Sequence, residues 1–226
     1  DIINSEYLKK IINQKQIPVI APLGIDKDKN TYNISPDSII ESIRTAKKHN
    51  IKLKGIMTVG LFGQPCDMDT ITNIAKEHKL WILDDAAQSF GAQYKNIPVG
   101  SFGEVCATSF FPAKPLGCYG DGGALLTNNK KIFDIAYSCH LHGMSKNKYK
   151  YERIGMNGRM DSIQAAVLIE KLSIFKKELI LRQKIADNYK RLFDDLKTPI
   201  FLPKIIQKSK SSWAQFTIKL PNNLNR

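Results

Sequence analysis

Lys114 is the residue in this chain whose surroundings most favour chemistry. It lies in the segment ATSFFPAKPLGCYGDGGALLTN, residues 107–128, and is flanked by Pro112 and Pro115. Because prolines interrupt regular helix or strand, the backbone around the lysine is expected to be irregular and rigid. Amines held among apolar and small residues are partly desolvated, which lowers their pKa and frees them as nucleophiles. Schiff-base chemistry needs such an amine, but a solvated lysine in a surface turn would fit the same pattern.

Asp84 and Asp85 form a second candidate group, directly after the apolar run LWIL at residues 80–83. Such a run is typical of a strand buried in a parallel sheet, and the ligands of these sheets collect beyond the carboxyl ends of the strands. Asp85 is therefore predicted to lie where chemistry takes place. Helix capping and loop hydrogen bonds are an alternative role for both carboxylates.

The histidine and cysteine patterns favour no metal centre. His140 and His142 have the spacing of a strand-type metal pair, but the sequence has no third ligand cluster, so a structural or substrate-contacting role is expected. The cysteines are widely spaced and include no C-x-x-C pair, which favours neither a zinc site nor a disulfide framework and fits a reducing cytoplasm. They are Cys66, Cys106, Cys118 and Cys139.

The 226-residue chain has an ordinary globular composition and a formal net charge of +13. A basic nucleic-acid-binding module is one hypothesis, and it predicts steeply salt-dependent binding. The lysines are spread along the chain, however, with local density at 146–150 and 176–177 and no recognised nucleic-acid motif. No apolar run is long enough to cross a bilayer. We therefore expect neither a nucleic-acid nor a membrane partner, and a basic surface also suits an anionic small substrate.

The pattern of apolar residues predicts a mixed α/β scaffold to hold these candidate groups. Strands are predicted at residues 17–22, 53–61, 80–83 and 105–111, with short strand-like runs again from Phe201 onward, ending with 213–220. Helices are predicted at 2–14, from Ser35 and Pro36 onward, at 70–78 behind the capping run 67–69, at 130–139, and as one long helix or two at 161–189. Apolar strands separated by helices indicate a parallel sheet covered on both faces. Polar stretches at 26–33 and 141–158 are expected to form a turn and an ordered loop or lid.

Three motifs give the chain a resemblance to a known family. They are DDAAQ at 84–88, SFFPAK at 109–114 and NGRMD at 157–161, and the similarity runs in the same order from about Thr31 to Arg226. The chain resembles the DegT/DnrJ/EryC1/StrS family of pyridoxal-phosphate-dependent nucleotide-sugar aminotransferases. Related enzymes that dehydrate sugars carry histidine in place of the lysine, so Lys114 favours transamination.

The resemblance implies a role for each matching residue of the cofactor site. Lys114 would form the Schiff base with pyridoxal 5'-phosphate and then move the proton between the two carbons of the imine. Asp85 would pair with the pyridine nitrogen and keep it protonated. Gln88 would pack near the ring face and its 3-oxygen, and Ser109 would donate to the phosphate.

The resemblance also implies a homodimer with shared active sites. Asn157 would reach the phosphate of the cofactor bound to the other subunit, and Arg159 would point toward the anionic substrate across the interface. An ordinary helix cap and a surface ion pair are the alternative roles for these two residues. A site completed by both subunits would make the dimer necessary for activity.

The implied fold is the large domain of a fold-type I pyridoxal-phosphate-dependent transferase, with a mostly parallel central sheet flanked by helices and the start of a small C-terminal α+β domain. We expect a poorly matched segment at 1–30, an incomplete large domain at 31–165, and a long helix with the truncated beginning of the small domain at 166–226. The run IPVIAPLGID is also similar to a segment of amino-acid kinases, which leaves a fused N-terminus open. The family's N-terminal phosphate-cup motif and its C-terminal portion are not found in the sequence.

The expected function is transfer of an amino group, with glutamate as donor, to a nucleotide-linked keto-sugar in the cytoplasm. The acceptor would be a UDP-3-keto-hexuronate or a 4-keto-6-deoxy sugar, and the product would serve surface polysaccharide synthesis. The alternative is a catalytically impaired partial chain of the family that holds the cofactor phosphate weakly and has no enzymatic activity.

Overall fold

The structure, a computed structural model, describes residues 23–25, 31–196 and 200–221. Its strands are β1 (Leu23–Ile25), β2 (Thr31–Asn33), β3 (Gly55–Val59), β4 (Trp81–Asp85), β5 (Gln93–Tyr94), β6 (Ile97–Pro98), β7 (Val105–Ser109), β8 (Gly123–Leu126) and β9 (Ser209–Lys210). Its helices are α1 (Pro36–Lys48), α2 (Met68–Glu77), α3 (Lys130–His140) and α4 (Ser162–Asp195), with a short 3-10 turn at Leu61–Gly63. None of the helices in these ranges has the length and apolar character of a bilayer-spanning segment.

The central sheet has the strand order β3-β4-β7-β8. The first three strands run parallel, and β8 returns antiparallel to β7. Val59 pairs with Asp85, which pairs with Ala107, and Ser109 lies opposite Gly123 where β8 begins. The carboxyl ends of β3, β4 and β7 therefore meet at one edge of the sheet, as the sequence pattern predicts.

Helices α1 and α2 begin at the capping residues that the sequence predicts. The Ser35 side chain accepts a hydrogen bond from the Ser38 amide at 3.2 Å, and Pro36 occupies the first helical position of α1. The Asp67 side chain caps α2 in the same way through the Thr70 amide at 3.4 Å. Apolar residues at helical spacing on α1 and α2 then cover one face of the sheet: Ile39, Ile43, Ile71 and Ile74 pack with Ile56 and Ile82.

The opposite face of the sheet is covered less completely within the described residues. Because strand side chains alternate, Met57, Trp81 and Leu125 lie on this second face, and between 36% and 48% of each is exposed. Complete coverage of both faces, which the apolar strands indicate, is therefore seen for one face only. The second face is also the one that carries Asp85 and Ser109.

The long C-terminal helix is a single element. α4 spans 34 residues without a break, which resolves the expectation of one helix or two for 161–189 in favour of one. Its buried residues Leu168 and Phe175 pack against Leu116 and Cys118 of the segment that follows Lys114. The helix thus lies directly against the loop that carries the candidate lysine.

Two predictions of local structure are wrong. Residues 31–33 belong to strand β2, which pairs with β1, and not to a polar turn. Residues 213–220 form no strand apart from a bridge between Phe201 and Lys219, because the segment is held by tertiary contacts instead: the Ser212 amide donates to Gly63 O at 2.9 Å and the Trp213 indole donates to Gln183 at 2.7 Å. The elements predicted at 2–14 and 17–22 lie outside the described residues.

Candidate active site

The candidate active site lies at the carboxyl edge of the parallel strands. Asp85 ends β4, Ser109 ends β7, and Lys114 lies in the loop between β7 and β8. Asp85 and Ala107 are register partners, so Ser109, two residues further along β7, has its side chain on the same face of the sheet as Asp85. The topology therefore brings the lysine, the carboxylate and the hydroxyl to one edge.

Alternation along β4 gives the two adjacent aspartates different surroundings. Asp84 points into the buried face with only 4% of its surface exposed. Its carboxylate accepts hydrogen bonds from the Thr58 hydroxyl at 2.9 Å and from the Gly100 amide at 3.4 Å. Burial raises the pKa of Asp84, and these two hydrogen bonds oppose that rise. Asp84 therefore ties neighbouring strands and a loop together inside the protein.

Asp85 faces the other way and is half-buried at the sheet edge. Its Oδ1 accepts a hydrogen bond from the Ala87 amide at 2.9 Å, which fixes the direction of the side chain. The Asp85 backbone carbonyl accepts from the Gly60 amide at 3.1 Å and so joins the end of β4 to the end of β3. A carboxylate held in this way can face a cationic group of a ligand at the edge.

Lys114 is held by a loop that folds back on itself. The Lys114 amide donates to Phe111 O at 2.9 Å, and the Cys118 amide donates to Phe110 O at 2.8 Å. Gly117 makes this return possible, because a Cβ at that position would lie 2.6 Å from Pro112 O. Lys114 itself is half-buried, while residues 115–118 are fully buried. The irregular backbone expected between the prolines is thus observed.

Ser109 and Gln88 are oriented by bonds to nearby backbone groups. The Ser109 hydroxyl accepts a hydrogen bond from the Phe111 amide at 3.2 Å. The Gln88 side-chain oxygen accepts from the Phe62 amide at 2.7 Å, in the 3-10 turn that follows β3. Gln88 therefore spans the loops that follow two neighbouring strands, and its amide group is held at the edge where Asp85 ends.

Asn157 and Arg159 belong to a different segment from the other candidate residues. Both lie between α3 and α4, and both are exposed. Asn157 forms an isolated antiparallel bridge with Leu141, which closes the base of the loop 141–158. Arg159 Nη1 lies 3.2 Å from His142 Nε2. The ordered loop predicted here is confirmed, and His142 has a contact with Arg159. Among the described residues no group of three or more His, Cys, Asp and Glu side chains is arranged to hold a metal ion.

Sequence reasoning missed the residues of α4 that contact the loop carrying Lys114. This loop, residues 110–122 between β7 and β8, is called the lysine loop below. Gln164, Lys171 and Arg182 each hydrogen-bond a backbone group between residues 115 and 119. They are spaced by seven and eleven residues, which puts them on one face of the predicted helix. This spacing is the sequence pattern that could have identified them. It was not informative alone, because polar residues at such spacing usually mark a solvated face.

Solved structures establish the class of protein. A DegT DnrJ EryC1 StrS aminotransferase from Brucella abortus superposes with a TM-score of 0.83 and 40% identity, over 92% of this chain and 54% of that one. The structure of ntda from Bacillus subtilis with bound cofactor PMP has a TM-score of 0.75 and 28% identity, over 96% of this chain and 47% of that one. The fold is that of the large domain of fold-type I pyridoxal-phosphate-dependent transferases.

The sequence comparison is more specific. The model of the DegT/DnrJ/EryC1/StrS aminotransferase family matches residues 11–226, and the chain belongs to this family. One relative is the UDP-2-acetamido-2-deoxy-3-oxo-D-glucuronate aminotransferase of Pseudomonas aeruginosa, which is 40% identical over 201 residues, or 89% of this chain and 54% of that protein. The chain thus spans about half the length of the relatives that it matches.

Proposed function

We propose that this chain is the cofactor-binding part of a pyridoxal-phosphate-dependent aminotransferase that transfers an amino group from glutamate to a nucleotide-linked keto-sugar. The observation that carries the proposal is the convergence of Lys114, Asp85 and Ser109 at one sheet edge, on a fold shared with such enzymes. The class of substrate is proposed from the names of relatives, one of which is a UDP-2-acetamido-2-deoxy-3-oxo-D-glucuronate aminotransferase.

The residues at the edge fit the chemistry of this cofactor. A primary amine suits covalent attachment of an aldehyde, a carboxylate suits a protonated ring nitrogen, and a hydroxyl suits a phosphate oxygen. Lys114, Asp85 and Ser109 supply one of each, and Gln88 adds an amide held by the Phe62 backbone. The cofactor, when bound, supplies an electron sink for the bond electrons released when a proton is removed from the adjacent carbon.

In this proposal each side chain of the edge has a distinct task. Lys114 Nζ would hold the cofactor in the resting enzyme and would accept and return the proton that moves during transamination. The Asp85 carboxylate would stabilise a positive charge on the ring nitrogen, and its bond to the Ala87 amide keeps it in place for that task. Ser109 would bind the phosphate and Gln88 would contact the ring, and together they would orient the cofactor relative to Nζ.

Burial behind the lysine supports these roles. Residues 115–118 are fully buried, so the backbone on one side of Lys114 is shielded from water. Electrostatic interactions between an amine and a carboxylate strengthen when water is excluded from their surroundings. The rigid turn between Phe111 and Lys114 limits the motion of the chain from which the amine extends.

We further propose that two copies of the chain form a homodimer with shared sites. Asn157 and Arg159 are exposed on the loop between α3 and α4, where a second copy could receive them. In the partner's site Asn157 would donate to the phosphate, and the Arg159 guanidinium would bind the acidic group of the substrate. The contact of Arg159 with His142 would orient it for that purpose.

For the acceptor we propose a UDP-linked 3-keto-hexuronate. The named relative that shares 40% identity acts, by its name, on a UDP-linked 3-oxo-glucuronate. The net charge of +13 and the exposed Arg159 suit an acceptor that carries both a diphosphate and a carboxylate. The product would serve surface polysaccharide synthesis in the cytoplasm.

Borohydride reduction tests the proposal directly. The protein is incubated with pyridoxal phosphate, reduced, digested and analysed by mass spectrometry, and we expect a pyridoxyl group on Lys114. Lys114→Arg should lack the adduct, while Lys177→Met, on the exposed side of α4, should retain it. A wild-type protein that stays colourless and unmodified would contradict the proposal and favour an impaired partial chain.

The acceptor is tested separately, with glutamate as donor. Transfer of the amino group to a UDP-linked 3-keto-hexuronate is compared with transfer to a dTDP-linked 4-keto-6-deoxy sugar by mass spectrometry of the products. We expect the hexuronate to be the better acceptor, because it offers a carboxylate to Arg159. Preference for the deoxy sugar would contradict the assigned acceptor and leave the lysine chemistry intact.

A further inference from the structure

Three polar side chains of α4 bond alternate backbone groups in the segment after Lys114. Arg182 Nη2 donates to Pro115 O at 3.4 Å, and the Lys171 ammonium donates to Gly117 O. Gln164 Oε1 accepts from the Tyr119 amide at 2.8 Å. The long helix thus satisfies a backbone group at every second residue that follows the lysine.

The residues between these bonds are buried against the same helix. Leu116 and Cys118 are 3% and 1% exposed, and they pack with Leu168 and Phe175 of α4. Buried loop backbone needs hydrogen-bond partners, because an unpaired carbonyl or amide away from water is costly. The polar and apolar contacts together leave the segment 115–119 few ways to move.

The contacts all come from one stripe of α4. Gln164, Leu168, Lys171, Phe175 and Arg182 follow one another at intervals of four, three, four and seven residues, which keeps them on a single helical face. Polar and apolar side chains therefore alternate along the stripe as the loop passes beneath it. We call this set of five residues the α4 stripe.

The α4 stripe also connects the lysine loop with the other end of the site. Arg182 Nη1 donates to Trp213 O at 3.4 Å, so one guanidinium joins Pro115 to the C-terminal segment. In that segment the Ser212 hydroxyl donates to the backbone carbonyl of Gln88 at 2.9 Å. A chain of hydrogen bonds therefore links both sides of the proposed cofactor site through the helix.

We propose that Gln164, Lys171 and Arg182 are positioning residues that hold the backbone from which Lys114 extends. The inference rests on the proposed function of Lys114. A lysine amine sits on a flexible side chain, so its alignment with a bound group depends on how firmly its backbone is fixed. Misplacement of a reacting group by about 1 Å costs on the order of a hundredfold in rate. The polar residues of the α4 stripe therefore set how fast Nζ reacts.

A purely structural role is the competing explanation, because the stripe also packs the helix against the loop. Lys171→Met keeps the apolar stem of the side chain and removes its donor, whereas Lys171→Arg keeps a donor. Arg182→Met makes the corresponding change at Pro115, and Gln164→Leu removes the acceptor of the Tyr119 amide. Lys177→Met is the matched control, because Lys177 is exposed and lies on the opposite side of α4.

The first measurement is amide hydrogen exchange, which needs no cofactor. In Gln164→Leu the Tyr119 amide loses its acceptor, and we expect it to exchange roughly fivefold to tenfold faster, in line with the loss of one hydrogen bond. Lys171→Met and Arg182→Met should raise exchange within residues 114–119. Lys177→Met should not. Exchange equal to wild type in all three stripe variants would overturn the inference whatever the cofactor does.

The second measurement is the rate at which pyridoxal phosphate becomes reducible onto Lys114. Lys171→Met and Arg182→Met should slow this rate roughly tenfold. This factor lies between the one expected for a single lost hydrogen bond and the one expected for a displaced reacting group. Lys171→Arg should restore it and Lys177→Met should match wild type. If amide hydrogen exchange becomes faster but the rate at which pyridoxal phosphate becomes reducible onto Lys114 is unchanged, the α4 stripe is structural only. That result would overturn the inference. A wild-type protein that traps no cofactor would overturn the proposed function, and with it the role given to the stripe.

Discussion

At the scale of single residues, the two adjacent carboxylates Asp84 and Asp85 differ because strand side chains alternate. Asp84 enters the interior and is satisfied by Thr58 and Gly100, whereas Asp85 remains half-buried at the edge where ligands of parallel sheets bind. Neighbours in sequence thus have separate tasks, one in holding the fold and one in the proposed chemistry. Each task gives a prediction of its own.

Asp85→Asn should lower the rate of amino transfer on the order of a hundredfold or more, because a neutral amide no longer stabilises a cation on the cofactor ring. The pyridoxyl adduct on Lys114 should still form after borohydride reduction, since the amine is unchanged. Amino transfer measured with glutamate and the keto-sugar checks this, with Asp195→Asn at the exposed end of α4 as the control. Loss of less than threefold would exclude an essential role for Asp85.

Asp84→Asn should change how stability depends on pH. Burial raises the pKa of Asp84 above its ordinary value of 3.8, so the folded protein binds this proton more tightly than the unfolded chain. Stability therefore falls as pH rises from 3.8 through the raised folded pKa. Because the variant lacks this titration, its free energy of unfolding relative to wild type should rise over that window.

Urea unfolding of wild type and Asp84→Asn at a series of pH values from about 4 to about 8 measures this difference. Asp195→Asn, at an exposed position, should follow the wild-type pH dependence. A constant difference between Asp84→Asn and wild type across the series would refute the assigned effect of burial.

At the scale of elements, the start of α2 is fixed by a residue that also reaches another sheet. Asp67 caps the helix through Thr70 and accepts a hydrogen bond from the Tyr94 hydroxyl of β5 at 2.7 Å. Burial alone would raise the pKa of Asp67, but the hydrogen bonds from Tyr94 and Thr70 outweigh it and lower the pKa. The pKa of Tyr94 is raised to about 12 by burial and by this same bond. The cap thus depends on an ionised carboxylate.

Asp67→Ala should cost about 1–2 kcal/mol of unfolding free energy near neutral pH, the usual worth of a helix cap. A folded pKa below 3.8 means that the ionised cap stabilises the protein above that pH and that this contribution is lost as pH falls through the lowered value. The difference from wild type should therefore shrink in acid. Urea unfolding at neutral and acid pH measures it. Asp37→Ala, in the exposed first turn of α1, should cost less, and an equal cost would refute the assignment.

At the scale of the whole molecule, the described surface carries large apolar side chains that a partner could cover. Ile154 is 98% exposed, Tyr119 77%, Ile163 74% and Met156 68%, all on the lysine loop, on the loop between α3 and α4, or at the start of α4. Removing such apolar side chains from water would favour association. They therefore support the proposed homodimer, in which Asn157 and Arg159 would enter the partner's site.

Shared sites predict that two inactive variants complement each other. When Lys114→Ala and Arg159→Ala chains are coexpressed, mixed dimers should contain one intact site in two, so about a quarter of the wild-type amino transfer should return with random pairing. Coexpressed Lys114→Ala and Asp85→Asn chains should restore none, because both residues belong to the same subunit's part of the site. Activity in the second mixture, or its absence in the first, would contradict the shared-site proposal.

Much of the local structure could be predicted because its causes are local. The capping side chains Ser35 and Asp67, the apolar run at 80–83 and the helical pattern of α4 act over a few residues. These signals determined the parallel strands and their order along the chain. Since parallel strands end at one edge, they also determined that Asp85 and the segment after Ser109 would meet there.

The tertiary structure decided which groups touch. Gln164 meets Tyr119 across 45 residues of sequence, and Ser212 meets the carbonyl of Gln88 across 124. Tertiary contacts of this kind hold residues 213–220 without a regular strand. They also make one face of α4 bind the backbone of the lysine loop. No pattern within a window of a few residues carries that information, because the pairing depends on where the sheet and the helix come to lie together in space. Local propensity determined the helices and the parallel strands of this protein, and the requirement that its buried backbone groups find partners decided how they hold the site.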